Sequence, residues 1–327
     1  MMNVLYTIDG GFVPQVAAAI TSICENNMHV EEIHFYIMSL HIPAWLEKKL
    51  AEYVNTYSKN ACIRDVIFIE LNEMHHYFDF TIDTSAWNPI VLARLLVDKL
   101  LPENVERVIY LDGDTIVRGS LSELWDTDMG ELSIGACIEA TCSLKRKEKM
   151  GLKNKPYHNA GVLLVDLKNW RKNNTGQEII DYYCKNNGKL YANDQDAING
   201  SQVGKIKTLS PTYNYHNTYD IYRYRLFEKN CDYPVPSKEE LANIKKNPCI
   251  IHFLGEERPW RKGNKHRFSE EYIKYLDMTP WAGENIDDGW RLYFTCWNIF
   301  NFVMKPFPLT RCRIINTLVP MILKKKS

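Results

Sequence analysis

Residues 107–121 read Arg107-Val108-Ile109-Tyr110-Leu111-Asp112-Gly113-Asp114-Thr115-Ile116-Val117-Arg118-Gly119-Ser120-Leu121, and this stretch decides the fold. Residues 108–111 are apolar without a break, with β-branched and aromatic character. So short a run, with no polar alternation, reads as a strand buried on both faces. It ends in two carboxylates, Asp112 and Asp114, with only Gly113 between them. In open α/β sheets, ligands bind outside the carboxyl ends of the strands. Two carboxylates there, joined by a residue that permits sharp turns, suit a hard divalent cation. The alternative is a solvated acidic turn, since Asp-Gly-Asp is also good turn chemistry.

Outward from this strand, strand-like and helix-like segments alternate. A strand over 4–8 precedes a helix over 13–25, where Val16, Ala19, Ile20 and Ile23 fall at helical spacing. A strand over 33–38 follows, then a helix that Pro43 opens and that runs to about residue 57. A strand over 66–71 and a helix over 89–100, ended by Pro102, lead to the central strand. Beyond it lie strands over 132–138, 161–167 and 249–253, and helices over 178–186 and 237–246. Residues 141–158 are polar and basic and read as a mobile loop of functional length. The series predicts an α/β fold, a Rossmann-like, mostly parallel sheet with helices on both faces. Composition shifts near Asp288, which divides a domain over 1–285 from an aromatic and basic tail over 286–327.

Bulk composition excludes some functions. Forty basic and forty acidic residues leave no excess charge for a polyanion, so nucleic acid is not an expected partner. The nine cysteines are scattered without a C-x-x-C pair, which fits a reducing compartment and no structural zinc site. The N-terminus runs straight into a strand without a signal-peptide pattern, so a cytoplasmic location is expected. No stretch reaches the ~18 continuous apolar residues of a spanning helix.

Four further stretches carry chemistry. Asp9 and Gly10-Gly11 follow the first strand, where glycine lets backbone approach a ligand or simply turns the chain. They do not make G-x-G-x-x-G, so a dinucleotide site lacks its fingerprint. His158-Asn159-Ala160-Gly161 precedes a strand. Asn193-Asp194-Gln195-Asp196 opens a short helix and could serve only as its cap. His252 ends the late strand, ahead of Gly255, Arg258, Pro259 and Trp260. Joined to Asp112 and Asp114, His252 makes a two-carboxylate, one-imidazole set, which moves the preference from magnesium toward manganese or another transition metal.

Together these pieces resemble a known family. Y-L-D-G-D at 110–114, H-N-A-G-V-L-L-V-D-L-K-N-W at 158–170, N-D-Q-D-A-I-N at 193–199 and I-H-F-L-G-E-E-R-P-W at 251–260 occur in the order found in family 8 retaining glycosyltransferases. These have the GT-A fold and include bacterial lipopolysaccharide galactosyl- and glucosyltransferases. The likeness spans residue 3 to about 280. It implies that Asp112, Asp114 and His252 hold manganese, with magnesium as the alternative, against the diphosphate of a UDP-sugar. It implies uridine contacts from Thr7, Asp9 and Gly11, with Gly113 in the metal loop. Arg94 looks like the family's donor-contacting arginine. Asn159 and Ala160 would line the donor site, Asp194 would bind sugar hydroxyls, and Gln195 would lie by the anomeric carbon. Gly255 and Arg258 would approach the phosphates. Gly11 stands where some relatives carry a polar side chain, and Arg258 where close relatives have lysine. Arginine keeps the charge and gains a bidentate fork.

The implied reaction moves glucose or galactose from the UDP-sugar to a glycan or glycolipid acceptor. Retention could come from a double displacement or from front-face attack, and the latter is favoured because an amide such as Gln195 is a poor nucleophile. Glu139 and residues 141–158 are expected to shape the acceptor site. Rival readings are a haloacid-dehalogenase-type phosphatase and a non-catalytic sugar-nucleotide module; self-glucosylation of the glycogenin kind is a variant within the family.

The tail is expected to dock on an anionic membrane surface, leaving the protein peripheral on the inner face. Trp290, Tyr293, Phe294, Trp297 and Phe300 recur at helical spacing as one aromatic face. After Pro306 and Pro308, Ile314, Ile315, Leu318, Val319 and Ile322 repeat the pattern, with Pro320 expected to kink or shorten the helix. Arg311, Arg313, Lys324, Lys325 and Lys326 flank the apolar face, the signature of an interfacial helix.

Overall fold

The structure, a computed structural model, describes the backbone except at residues 60, 61, 86, 223, 232, 285, 286 and 327; side chains are also left undescribed at 229, 230, 316 and 319–326. The first strand, β1 (Met2–Asp9), explains why an unbroken apolar run folds as it does. Val4, Tyr6 and Ile8 enter one hydrophobic cluster and Leu5 the other. The central strand, β4 (Arg107–Leu111), divides likewise, with Ile109 and Leu111 on the first face and Val108 and Tyr110 on the second. Both faces are therefore covered, as parallel strands require. Helices Val13–Asn26 and Ala44–Asn55 cover the first face with residues such as Ile20, Ile23 and Leu50. Each such buried aliphatic side chain contributes about 1.5–3 kcal/mol. The segment Pro89–Leu96 and the helix Thr175–Lys185 cover the second face.

The remaining strands are β2 (Glu32–Leu40), β3 (Ile63–Glu70), β5 (Thr115–Val117), β6 (Ile134–Ile138), β7 (His158–Asp166), β8 (Ile206–Leu209) and β9 (Ile250–His252). Seven form one sheet in the order β3-β2-β1-β4-β7-β6-β8. β7 runs antiparallel to both its neighbours, while the other pairs are parallel. Its reversed direction brings its first residues beside the end of β4, where Asp112 N–H donates to Gly161 O at 2.8 Å. The late strand joins no large sheet. β9 pairs antiparallel with β5, setting His252 opposite Thr115.

Three expectations change. The segment over 89–100 is helical, but its first turns are 3-10 and only Val97–Leu100 is α. Residues 141–158 are no simple loop. They carry a helix, Leu144–Lys149, capped by Ser143, and bury Cys142, Met150, Leu152 and Tyr157 in a satellite cluster. The basic residues masked that apolar minority. The third change is in the tail, where Arg291–Met304 and Pro308–Lys326 form two helices. The expected aromatic face of the first leans on the domain: Phe294 is 1% exposed, and Trp297 Nε1 donates to Glu257 at 2.8 Å. Arg311 is buried and donates to Tyr222 OH and Asn301 Oδ1 at 2.8 and 2.9 Å, so it is not a free basic flank. Pro320 does not shorten the second helix, which runs to Lys326. The side chains of Val319, Ile322, Lys324, Lys325 and Lys326 lie outside the described residues. Among the described residues no helix is long and apolar enough to cross a membrane.

Candidate active site

β5 begins immediately after Asp114, and its pairing with β9 carries His252 back to the two carboxylates. His252 Nε2 lies 3.2 Å from Asp114 Oδ1 and 3.7 Å from Asp112 Oδ2. One ligand atom from each of the three residues falls within 4.8 Å of the others. His252 Nδ1 faces Asn214 Oδ1 at 3.0 Å, so Nδ1 carries a proton and Nε2 is aimed at the carboxylates. Burial lowers the His252 pKa, but Asp114 and Asp112 outweigh it and raise it. Burial likewise lifts the Asp114 carboxyl, and His252 and Arg258 overcome it and hold it down at about 2. Two carboxylates and an oriented imidazole fit a divalent cation, which would take the proton's place at Nε2. Gly161 makes the approach possible, since a Cβ there would lie 2.2 Å from His252 Cε1 and 2.8 Å from Asp112 Oδ2.

Arg94 ties this corner to the next. It is buried, and its guanidinium lies over the Tyr110 ring at 4.3 Å. It pairs with Asp112 Oδ1 at 2.9 Å and Asp194 Oδ2 at 3.2 Å, and donates to Ala160 O at 2.8 Å. Tyr110 OH also donates to Asp112 Oδ1, at 2.7 Å, and meets Thr7 Oγ1 at 3.0 Å. Asp112 Oδ1 is thus saturated, and Oδ2 is the oxygen left for a cation. Burial raises the Asp194 carboxyl to about 6 despite the opposing Arg94.

Asp194 and Gln195 ride on the helix Asn193–Ser201. Its N-cap position is Ala192, with no side-chain cap, and Asp196 Oδ2 reaches back to accept from Ala192 N–H at 3.0 Å. Both ends of the Gln195 carboxamide are fixed. Ala160 N–H donates to Oε1 at 3.0 Å, and Nε2 donates to Tyr157 OH at 2.9 Å. Tyr157 in turn donates to Asp196 Oδ1 at 2.7 Å and accepts from Arg146 at 2.6 Å.

Arg94, Asp112, Asp114, Asp194, Gln195 and His252 line one cleft of about 690 Å³, while Tyr110, Tyr157, Asp196 and Asn214 stand behind them. Of the residues expected at the site, Thr7, Asp9, Arg94, Asp112, Gly113, Asp114, Asn159, Ala160, Asp194, Gln195, His252, Gly255 and Arg258 line it, and Gly11 does not. Gly11 N–H instead donates to Asp9 Oδ1 at 3.0 Å, and Asn88 Nδ2 donates to Asp9 Oδ2 at 2.6 Å. Gly113 supplies room, not a special turn: its φ is not positive, and a Cβ would come within 3.1 Å of Phe12. Gly255 does need its freedom, at φ +82°. Arg258 pairs with Asp114 Oδ2 at 3.1 Å. Glu139 does not line the cleft. It is buried behind Asn159, whose Nδ2 donates to it at 3.3 Å.

The sequence model of glycosyl transferase family 8 matches residues 3–263. The chain belongs to that family. General stress protein A of Bacillus subtilis is 25% identical over 284 residues, 86% of this chain and 95% of that protein. Lipopolysaccharide 1,2-glucosyltransferase of Escherichia coli K12 is 24% identical over 294 residues, 88% of this chain and 81% of that enzyme. Among solved structures, galactosyltransferase LgtC with donor and acceptor sugar analogues superposes with a TM-score of 0.69 at 23% identity, covering 89% of this chain and 99% of that one. The fold is therefore GT-A and the protein a glycosyltransferase, which removes the phosphatase and non-catalytic readings.

Within this glycosyltransferase, sequence reasoning gave no site role to Tyr110, Asn214 or Tyr157, and assigned Trp290 and Tyr293, which line the cleft, to the tail's docking face. Strand alternation offered a signal for Tyr110, which sits two residues before Asp112 and shares its side of the strand. Nothing local marked Asn214 or Tyr157 as partners of residues 38 positions away in sequence.

Proposed function

We propose that this glycosyltransferase transfers glucose or galactose from a UDP-sugar to a hydroxyl of a saccharide acceptor, with retention of the anomeric configuration. The observation that carries the reading is the convergence of Asp112, Asp114 and His252 within 4.8 Å in a cleft that also holds Gln195 and Arg258. Relatives named lipopolysaccharide 1,2-glucosyltransferase and lipopolysaccharide 1,3-galactosyltransferase support the choice of sugars and a cell-surface glycan acceptor. The three ligands would hold manganese, or magnesium, which supplies positive charge against the diphosphate. Arg258 leaves Asp114 for the departing phosphates and stabilises the charge that develops there. Asp194, oriented by Arg94, accepts hydrogen bonds from the sugar hydroxyls. Gln195 has both ends of its amide engaged and serves as a fixed dipole beside the anomeric carbon, not as a nucleophile. Front-face attack follows: the acceptor oxygen bonds to the anomeric carbon as the bond to UDP breaks, and the acceptor proton passes to the leaving phosphate oxygen. The test is a screen of UDP-sugars for manganese-dependent UDP release. UDP-glucose or UDP-galactose should be turned over, with the α-linkage kept in the product. Turnover of neither donor, or an inverted product, would refute the reading.

We also propose that the tail rests on an anionic membrane leaflet, which makes the protein peripheral on the cytoplasmic side. The surface is not the aromatic face first expected but the opposite one. Leu292 is 76% and Phe302 80% exposed there, with Ile299, Val303 and Phe307 beside them. Apolar area of this kind, with basic residues contributing about 1 kcal/mol each near an anionic leaflet, supports docking. Co-sedimentation with anionic vesicles should fall for Phe302→Asp and for a chain ending at residue 318, which keeps Arg311. Binding by neither full-length protein nor variants at low salt would sink the claim.

A further inference from the structure

The mouth of the cleft is closed on one side by the tail, and the donor reading above gives those residues no role. Trp290 and Tyr293 both line the cleft, next to Glu256 and Arg261. The two rings meet edge to face, with centroids 5.1 Å apart. They are held from behind. Arg261 lies under the Trp290 ring at 3.7 Å and pairs with Glu256. Trp297 stacks on Tyr293, with centroids 6.1 Å apart and planes 16° off parallel, and is itself bonded to Glu257. Tyr293 nevertheless keeps 38% of its surface exposed.

We propose that Trp290 and Tyr293 form the acceptor subsite, a stacking platform for the saccharide that receives the transferred sugar. The proposal rests on the glycosyl-transfer reading and names its acceptor side. Two considerations favour a neutral sugar here. Aromatic faces bind the C–H faces of pyranose rings, and they do so with little loss of side-chain freedom. The adjacent Glu256–Arg261 pair carries no net charge and offers an acceptor and donors to hydroxyls. The donor's own anionic groups have Arg258 and the three-ligand corner, deeper in the cleft. The subsite is also built from the tail, so the acceptor is recognised by the same helix whose outer face is apolar.

The test uses full-length protein, manganese and the UDP-sugar that it turns over. Rates of UDP release are measured without acceptor and with methyl glucoside, methyl galactoside, methyl lactoside and methyl N-acetylglucosaminide. Trp290→Ala and Tyr293→Ala should each raise the acceptor KM roughly tenfold, while Trp290→Phe and Tyr293→Phe, which keep a ring, stay within about twofold. The KM for the UDP-sugar and the acceptor-free hydrolysis rate should not move. That constancy also shows that the variants are folded, because both depend on the intact cleft. Unchanged acceptor KM in the alanine variants overturns the platform. So does a matching rise in the UDP-sugar KM, which would assign the rings to the nucleotide. If the wild type hydrolyses donor but none of the saccharides accelerates it, the platform fails and the donor reading stands. If it hydrolyses no donor, the donor reading itself fails.

Discussion

In the proposed reaction, Gln195 makes a reactive position from an unreactive side chain. Its amide is fixed by Ala160 and by Tyr157, and Tyr157 is fixed by Asp196 and Arg146. Removing the amide should cost transition-state stabilisation without loosening the donor. We expect Gln195→Ala to lower kcat by about 10²–10³ with the UDP-sugar KM nearly unchanged, as for other preorganised dipoles. Tyr157→Phe should reproduce part of that loss, because the amide then has one anchor. Steady-state kinetics separate the cases: a raised donor KM with intact kcat would make Gln195 a ground-state contact. The carboxylates were legible because a strand's end announces them. Asp112 and Asp114 follow an apolar run that reads as a buried strand, and the strand's end outweighs the plain acidic turn as a reading. Tyr157 was not legible, because it lies in a basic stretch whose four buried apolar residues are outnumbered by lysines.

At the level of elements, the tail helix Arg291–Met304 is a brace as well as a wall. It holds the segment that carries Gly255 and Arg258 through the hydrogen bond from Trp297 to Glu257. Asp287 N–H adds a bond to Trp260 O at 2.7 Å, and Lys262 N–H donates to Asp287 O at 2.9 Å. Trp297→Ala should therefore weaken UDP binding several-fold, although Trp297 does not line the cleft; equal UDP affinity by calorimetry would remove the brace. Helical spacing made both tail helices legible, but not their orientation. Trp290, Tyr293 and Trp297 define one apolar face, and Leu292, Ile299 and Val303 define another. Periodicity alone does not say which of two apolar faces turns inward. β5 was missed for a related reason. Three residues after an acidic turn give no pattern, and its partner β9 lies more than a hundred residues away, yet the pairing is what delivers His252.

For the whole molecule, acid stability should be governed by buried imidazoles. Burial holds His158, His216 and His266 each at about 4. An unfolded histidine binds its proton near pH 6.5. Between those values the unfolded chain holds protons that the folded chain does not, so stability falls as pH falls. The slope is about 1.4 kcal/mol per pH unit for each imidazole. Asp194, raised to about 6, works in the opposite direction below that pH, but it is one group against three. Thermal midpoints should drop steadily from pH 6.5 to 4. His216→Phe should blunt the drop, since neither ring nitrogen of His216 has a hydrogen-bond partner; an unchanged slope would contradict this. The α/β class and the mostly parallel sheet were legible from the alternation of segments, whereas the reversed β7 was not, because an apolar strand reads the same in either direction. The central claim is that Asp112, Asp114 and His252 hold a divalent cation against the donor's diphosphate. Calorimetry of UDP binding, with manganese and with chelator, on wild type and Asp114→Asn, tests it most directly. The account predicts that manganese strengthens binding to the wild type at least tenfold and leaves the variant near the chelator value. Equal affinity of the wild type in manganese and in chelator would contradict it.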